Sequence, residues 1–182
     1  MCIRDSLKNE YKNLEIPSPL GGDDYFQEVP GSAFSRGEVK ASENVLAFIK
    51  GSSKPEEILV ISSHYDHVGI DDEGNIYNGA DDDGSGTVAI LEIAEAFTKA
   101  IEDGYRPKRS ILFLNNTGEE KGLVGSKWYT DHPVFPLAQT VTNLNIDMIG
   151  RVGEGKEDAG DYVYLIGSDK LSTELHLSLI HI

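Results

Sequence analysis

Hydrophobic residues fall in short unbroken runs, set apart by polar stretches rich in glycine and acid. Ile58-Leu59-Val60-Ile61-Ser62-Ser63 and Ser110-Ile111-Leu112-Phe113-Leu114 are two such runs. Continuous aliphatic and β-branched residues, with no polar alternate face, read as strands buried on both sides. Asn44-Val45-Leu46-Ala47-Phe48-Ile49 reads as a strand that stops at Gly51, and two more strands are expected over 141–146 and 161–166. Between these runs the period changes to that of a helix. Over 87–102, Val88, Leu91, Ala94 and Ile101 share one side, and Ile90, Ile93 and Phe97 widen the stripe. Gly84-Ser85-Gly86 opens this helix, Gly104 is placed to cap it, and Pro107 lies beyond. A shorter helix over 122–131 is stopped by Pro133. Strands alternating with helices predict an α/β sheet with helices on both faces.

The stretch 7–51 is polar and turn-rich, punctuated by Pro17, Pro19, Gly21, Gly22, Pro30 and Gly31, and it carries no catalytic motif. The extreme ends read differently again. One nucleotide string, ATGTGTATAAGAGACAG, encodes Met1 to Asp5 and begins a codon for Ser6; its reverse complement encodes Leu177 to His181 and begins a codon for Ile182. The string resembles the end of a transposase-based sequencing adapter. Residues 1–6 and 177–182 are therefore expected to be translated library scars, set aside from fold reasoning. On that expectation both native termini lie outside the sequence. The remainder divides into a polar segment, 7–43, and a partial α/β domain, 44–176.

A chain of 182 residues amounts to about one domain, and 39% hydrophobic content is enough for a core. Asp and Glu number 31 against 16 Lys and Arg, a formal charge of −15. That balance argues against nucleic-acid binding, which needs a basic face, and against adsorption to an anionic membrane surface. No apolar run approaches the roughly 20 residues that span a bilayer. A single Cys excludes a disulfide framework and any multi-cysteine metal site. Any metal must then be held by His and carboxylates.

In open α/β sheets, ligands bind beyond the carboxyl ends of the strands. Here those ends carry polar clusters. One strand runs into Ser63-His64-Tyr65-Asp66-His67, the next into Thr117-Gly118-Glu119-Glu120, and a third through Asn145 into Asp147. Asn78-Gly79-Ala80-Asp81-Asp82-Asp83 lies just before the long helix. Each cluster has an ordinary reading too: carboxylates favour helix N-termini, and a His at a strand end commonly serves a structural hydrogen bond. Capping does not explain why all of them fall at successive strand ends. Imidazole and oxygen donors without thiolate suit zinc, and also manganese or cobalt. A calcium loop of the EF-hand type does not fit: with Gly84 or Gly74 at the sixth position, the first position is Gly79 or Gly69.

The blocks SHYDHVG, NGADDDGSG, NTGEEKGLVGS and NLNIDMIGR together resemble the metal-site blocks of the di-zinc exopeptidases, the bacterial secreted aminopeptidases and glutamate carboxypeptidases of metallopeptidase family M28. Order and spacing agree from about Asn44 to Arg151. The resemblance implies a three-layer mixed sheet of the zinc-exopeptidase type, incomplete at the C-terminus. It implies that His64 and Asp147 are ligands of a first Zn2+, that Glu120 is a ligand of a second, and that Asp82 bridges both. Asp66 would orient the His64 ring, Glu119 would be the general base, and the Asp82–Asp83 peptide would be cis. The family's last ligand, a His on a later loop, has no counterpart here, and neither His176 nor His181 takes that part. The fragment itself is therefore expected to be inactive. His67 is read as supporting or exposed, His132 as a helix end, Trp128 and Tyr129 as packing, and Asp71-Asp72-Glu73 as an exposed acidic turn.

The implied activity is metal-dependent exopeptidase hydrolysis of a peptide substrate, an aminopeptidase by expectation, in an exported protein. Two alternatives stand beside it: a single-zinc acyl-transfer or cyclase enzyme of the same fold, and a binding domain that kept the fold without catalysis. A purely structural acidic domain is a further one.

Overall fold

The computed structural model describes residues 2–35, 40–158 and 162–180. Its centre is a five-stranded mixed sheet in the order β1-β2-β6-β3-β7. The strands are β1 (Phe26–Pro30), β2 (Ala41–Ile49), β3 (Lys54–His64), β6 (Arg109–Asn116) and β7 (Thr140–Asn145). A two-stranded hairpin, β4 (Gly69–Ile70) with β5 (Ile76–Tyr77), stands apart from it. The helices are α1 (Ile3–Asn13), α2 (Gly84–Glu102), α3 (Val124–Asp131), α4 (Ser168–Leu171) and α5 (Thr173–Ile180). Residues 1–150 and 151–182 form separate compact units, and α4 and α5 belong to the second.

β1 and β2 join antiparallel, and β2 joins β6 antiparallel. β6, β3 and β7 run parallel. From β3 the chain crosses through α2 to β6 on one side, then returns through α3 to β7 on the other side of β3. Two right-handed crossovers in opposite directions place their helices on opposite faces. The core shows this directly. Val45, Ala47, Ile49, Ile61, Ile111 and Phe113 face Ile90 and Ala94 of α2, together with Leu7 and Tyr11 of α1. The alternate residues Leu46, Ile58, Val60, Leu112 and Leu114 pack with Tyr129 of α3. β2, β3 and β6 are thus apolar on both faces, which is why their sequences lack polar alternation.

The long helix forms where its stripe predicts, but rotated. Thr87, Ile90 and Ala94 are buried, with Phe97 and Ile101 packed beside them, whereas Val88 is 56% exposed. The true stripe steps by three and four from Thr87, and Val88 sits one residue off it. Gly104 ends the helix as expected: at φ +93° its N–H reaches Ile101 O and that of Tyr105 reaches Ala100 O, both bonds of a Schellman cap.

Two segments depart from expectation. Ile3–Asn13 forms a helix that begins inside the suspected scar, anchored by Leu7 and Tyr11, both fully or nearly buried. At the other end, Asp161 lies outside the described residues, and 162–166 pair with no strand. A strand is held by its neighbour's hydrogen bonds. Without a neighbour, Val163, Leu165 and Ile166 stay exposed.

Candidate metal centre

The three parallel strands end at one rim, and each delivers part of a cluster there. β3 ends in His64, whose side chain is 3% exposed. Its Nδ1–H donates to the Asp66 carbonyl oxygen at 3.0 Å, with the Asp66 carboxylate 3.6 Å away. A carbonyl can only accept, so whenever the ring loses a proton it is the one on Nε2, leaving the lone pair that a ligand imidazole needs. Nε2 lies 3.1 Å from Asp82 Oδ1, 3.9 Å from Asp147 Oδ2 and 4.0 Å from Glu119 Oε2.

The triple aspartate before α2 divides its work. Asp83 is buried and caps the helix: its carboxylate accepts N–H bonds from Gly86 (2.9 Å), His64 (3.1 Å) and Met148 (3.3 Å). Asp81 accepts from Gly150 N–H at 2.7 Å and from the Ser85 hydroxyl. Asp82, between them, turns its carboxylate out to His64. The Asp82–Asp83 peptide is cis, as the resemblance implied. Gly86 is required here, because a Cβ would lie 2.4 Å from both Asp83 Oδ1 and Ile146 O.

After β6, Glu119 and Glu120 diverge. Glu119 faces His64, while Glu120 Oε1 lies 3.1 Å from His67 Nδ1. The Asp66 carboxylate ties this turn down, accepting the N–H groups of Glu119 (3.0 Å) and Glu120 (3.3 Å). Asp66 therefore orients His64 mainly through its carbonyl and positions the two glutamates through its carboxylate.

Two donor groups result: His64, Asp82 and Asp147, and His67, Asp82 and Glu120, each with ligand atoms within 4.8 Å of one another. They share Asp82. The structure thus brings His64, Asp66, Asp82, Glu119, Glu120 and Asp147 to one rim, and adds His67, which the sequence reading took as supporting or exposed. The only signal for it was its place three residues after His64, just beyond the end of β3. Of the other histidines, His132 caps α3 and stacks on Trp128, and His176 bonds the Ser168 hydroxyl. His181 lies outside the described residues.

The electrostatics favour a cation. Burial opposes protonation of His64, but Asp66, Asp83 and Asp147 outweigh it and hold the ring's pKa up at about 9. Burial raises the carboxyl pKa values of Glu119 and Asp147, and facing acids add to it against the pull of His64. Positive charge at this rim relieves that repulsion, and a divalent ion supplies more of it than a proton. The donor set, imidazoles and carboxylates with no thiolate, fits zinc. Beside the cluster a cleft of about 420 Å³ is lined by His64, Glu119 and Asp147 and by the apolar side chains of Val60, Leu114 and Tyr129.

A mixed α/β sheet whose parallel strands end in such a rim has the fold of the zinc-exopeptidase type. The family model for Peptidase family M28 matches residues 44–171, and the chain belongs to that family. Similar proteins include the aminopeptidase NAALADL1 of Rattus norvegicus, 34% identical over 145 residues, covering 79% of this chain and 18% of that protein. The vacuolar membrane protease of Saccharomyces cerevisiae is 36% identical over 113 residues, covering 62% of this chain and 10% of the relative. Among solved structures, BSAP, a zinc aminopeptidase from Bacillus subtilis, superposes with a TM-score of 0.51 at 31% identity, over 61% of this chain and 25% of that one. The chain thus spans under a fifth of the length of these curated relatives.

Proposed function

We propose that the chain carries the catalytic rim of an aminopeptidase that cleaves peptide bonds with water activated between two divalent cations. The observation that carries this reading is the sharing of Asp82 between two donor groups. His64 and Asp147 would hold one ion, Glu120 the other, and Asp82 both. When bound, two such ions lower the pKa of a water towards neutrality and polarise the substrate carbonyl. Glu119, which faces His64 without belonging to either donor group, takes the water's proton and passes it to the leaving amine. Asp66 keeps both the ring and the glutamate turn in place. The adjoining cleft receives the substrate side chain. The choice of aminopeptidase rests on the names of the rat relative and the Bacillus subtilis structure. Export, implied by the resemblance, finds no support in relatives named vacuolar membrane proteases. Among the described residues, no helix is long and apolar enough to cross a membrane.

The test is Glu119→Gln in the intact gene product that carries these blocks. Zinc binding stays at two ions per chain, and turnover of aminoacyl p-nitroanilides falls at least about 100-fold, the low end of what a general base contributes. Wild-type hydrolysis of N-acetylated substrates is slower than that of free amines. A stoichiometry of one ion, or full turnover in the variant, overturns the reading.

A further inference from the structure

The turn that carries Glu119 is held at two levels. Asp66 ties it down at the rim. A second bracket lies deeper, in β2. Asn44 is wholly buried there. Its Oδ1 accepts the N–H of Thr117 at 3.1 Å, and its Nδ2 donates to the carbonyl oxygen of Gly125 at 2.9 Å and to Gln27 Oε1 at 3.0 Å. These partners leave the amide a single orientation.

Thr117 directly follows β6, and Gly125 lies in the first turn of α3. The Gly125 N–H donates to Thr117 O at 2.9 Å, so both ends of the loop 118–124 meet at one point, and Asn44 spans it. The fit is close: a Cβ on Gly125 would lie 2.2 Å from Thr117 O and 2.4 Å from Asn44 Oδ1. Among the described residues no hydrogen bond reaches the Glu119 carboxylate itself, so the backbone beneath it sets where it stands. A general base works only within reach of the proton it takes, and about 1 Å of misplacement can cost about 100-fold in rate.

We infer that Asn44 is a positioning residue for Glu119: by closing the neck of the loop, it sets that carboxylate against the water it deprotonates. This rests on the general-base role proposed above. The competing account is that Asn44 only stabilises the fold, as a paired buried amide does.

Ser110 supplies a matched control. It is equally buried, at the end of β6 remote from the rim, and its hydroxyl also bonds two backbone groups, accepting the Gly51 N–H at 3.0 Å and donating to Pro55 O at 2.7 Å. In the intact gene product, Asn44→Ala and Ser110→Ala should both lower the melting temperature. Kinetics on aminoacyl p-nitroanilides, at saturating zinc and well below both transitions, separate them. Asn44→Ala loses at least about tenfold in kcat, with KM within about twofold and the parent's zinc content retained, while Ser110→Ala keeps the parent kcat. Asn44→Ser leaves a hydroxyl in the gap and carries the same test where the alanine variant does not fold. In a Glu119→Gln background, Asn44→Ala adds no further loss, because a residue acting through Glu119 has nothing left to place. Parental kcat in the Asn44 variants, an equal loss in Ser110→Ala, a loss that more zinc cures, or a full further loss in the Glu119→Gln background overturns the inference. If Glu119→Gln loses turnover while the Asn44 variants match the parent, only the role of Asn44 falls. If Glu119→Gln keeps full turnover, the general-base reading falls, and this inference with it.

Discussion

Three consecutive aspartates, Asp81 to Asp83, divide between structure and chemistry by the direction each side chain takes. Asp83 ties together the start of α2, the end of β3 and the segment after β7 through three N–H donors. Asp83→Ala removes a helix cap and strands buried donors, so the metal-free protein should lose at least about 2 kcal/mol of stability in urea titrations. Asp82→Asn should behave in the opposite way. Its carboxylate is 37% exposed, and its repulsion with Asp147 offsets the gain from its contact with His64, so metal-free stability changes by no more than about 0.5 kcal/mol. Zinc affinity, read by calorimetry, should collapse. A reversed ranking in urea would remove the division. The sequence offered a capping account and a chemical account of this acidic run. The capping one holds for Asp83, and the chemical one is proposed for Asp82. The resemblance assigned the chemical part to Asp82, but the residues alone did not say which aspartate took which part, because side-chain direction in a turn depends on the backbone path. His67 was illegible for a related reason: its partner Glu120 arrives from the next parallel strand, beyond the reach of local pattern.

At the scale of elements, the strands and α2 were readable because burial on both faces leaves an unbroken apolar run, and burial on one side leaves a helical stripe. α1 was not read, since only Leu7, Tyr11 and Leu14 mark its inner face among charged residues. That spacing of four and three was the available signal. Tyr11 shows how the helix is held: it is fully buried, stacks on Phe113 and donates its hydroxyl to Asn115 Oδ1 at 2.7 Å. Tyr11→Phe should cost about 1 kcal/mol, the net worth of one hydrogen bond, plus whatever Asn115 loses in being left unpaired. Tyr11→Ala should cost about 3–5 kcal/mol, as large aromatic truncations in cores do. Denaturant midpoints of the two variants measure both. Equal midpoints would mean that α1 is not anchored through this residue. The expected strand over 161–166 failed for the complementary reason: apolar residues supply a face to bury, but a ladder needs a partner.

On the scale of the whole molecule, sheet order explains why the acids meet. Parallel neighbours β6, β3 and β7 aim their carboxyl ends the same way, and the start of α2 meets them there. In a chain of net charge −15, this concentration of carboxylates is a local cost that folding must bear. A cation that binds the folded rim and not the unfolded chain returns stability by mass action. At a free zinc concentration 100 times its dissociation constant the gain is about 2.7 kcal/mol. For a chain of this size each kcal/mol moves the melting temperature by about 2–4 °C, so zinc should raise it by about 5–10 °C. EDTA should reverse the rise, and Asp82→Asn should abolish it, whereas Val88→Ala, on the exposed side of α2, should retain it in full. Scanning calorimetry with and without zinc measures all three. A melting temperature indifferent to zinc in the parent chain would mean that these carboxylates meet without holding an ion, and the hydrolytic role built on them would go with it.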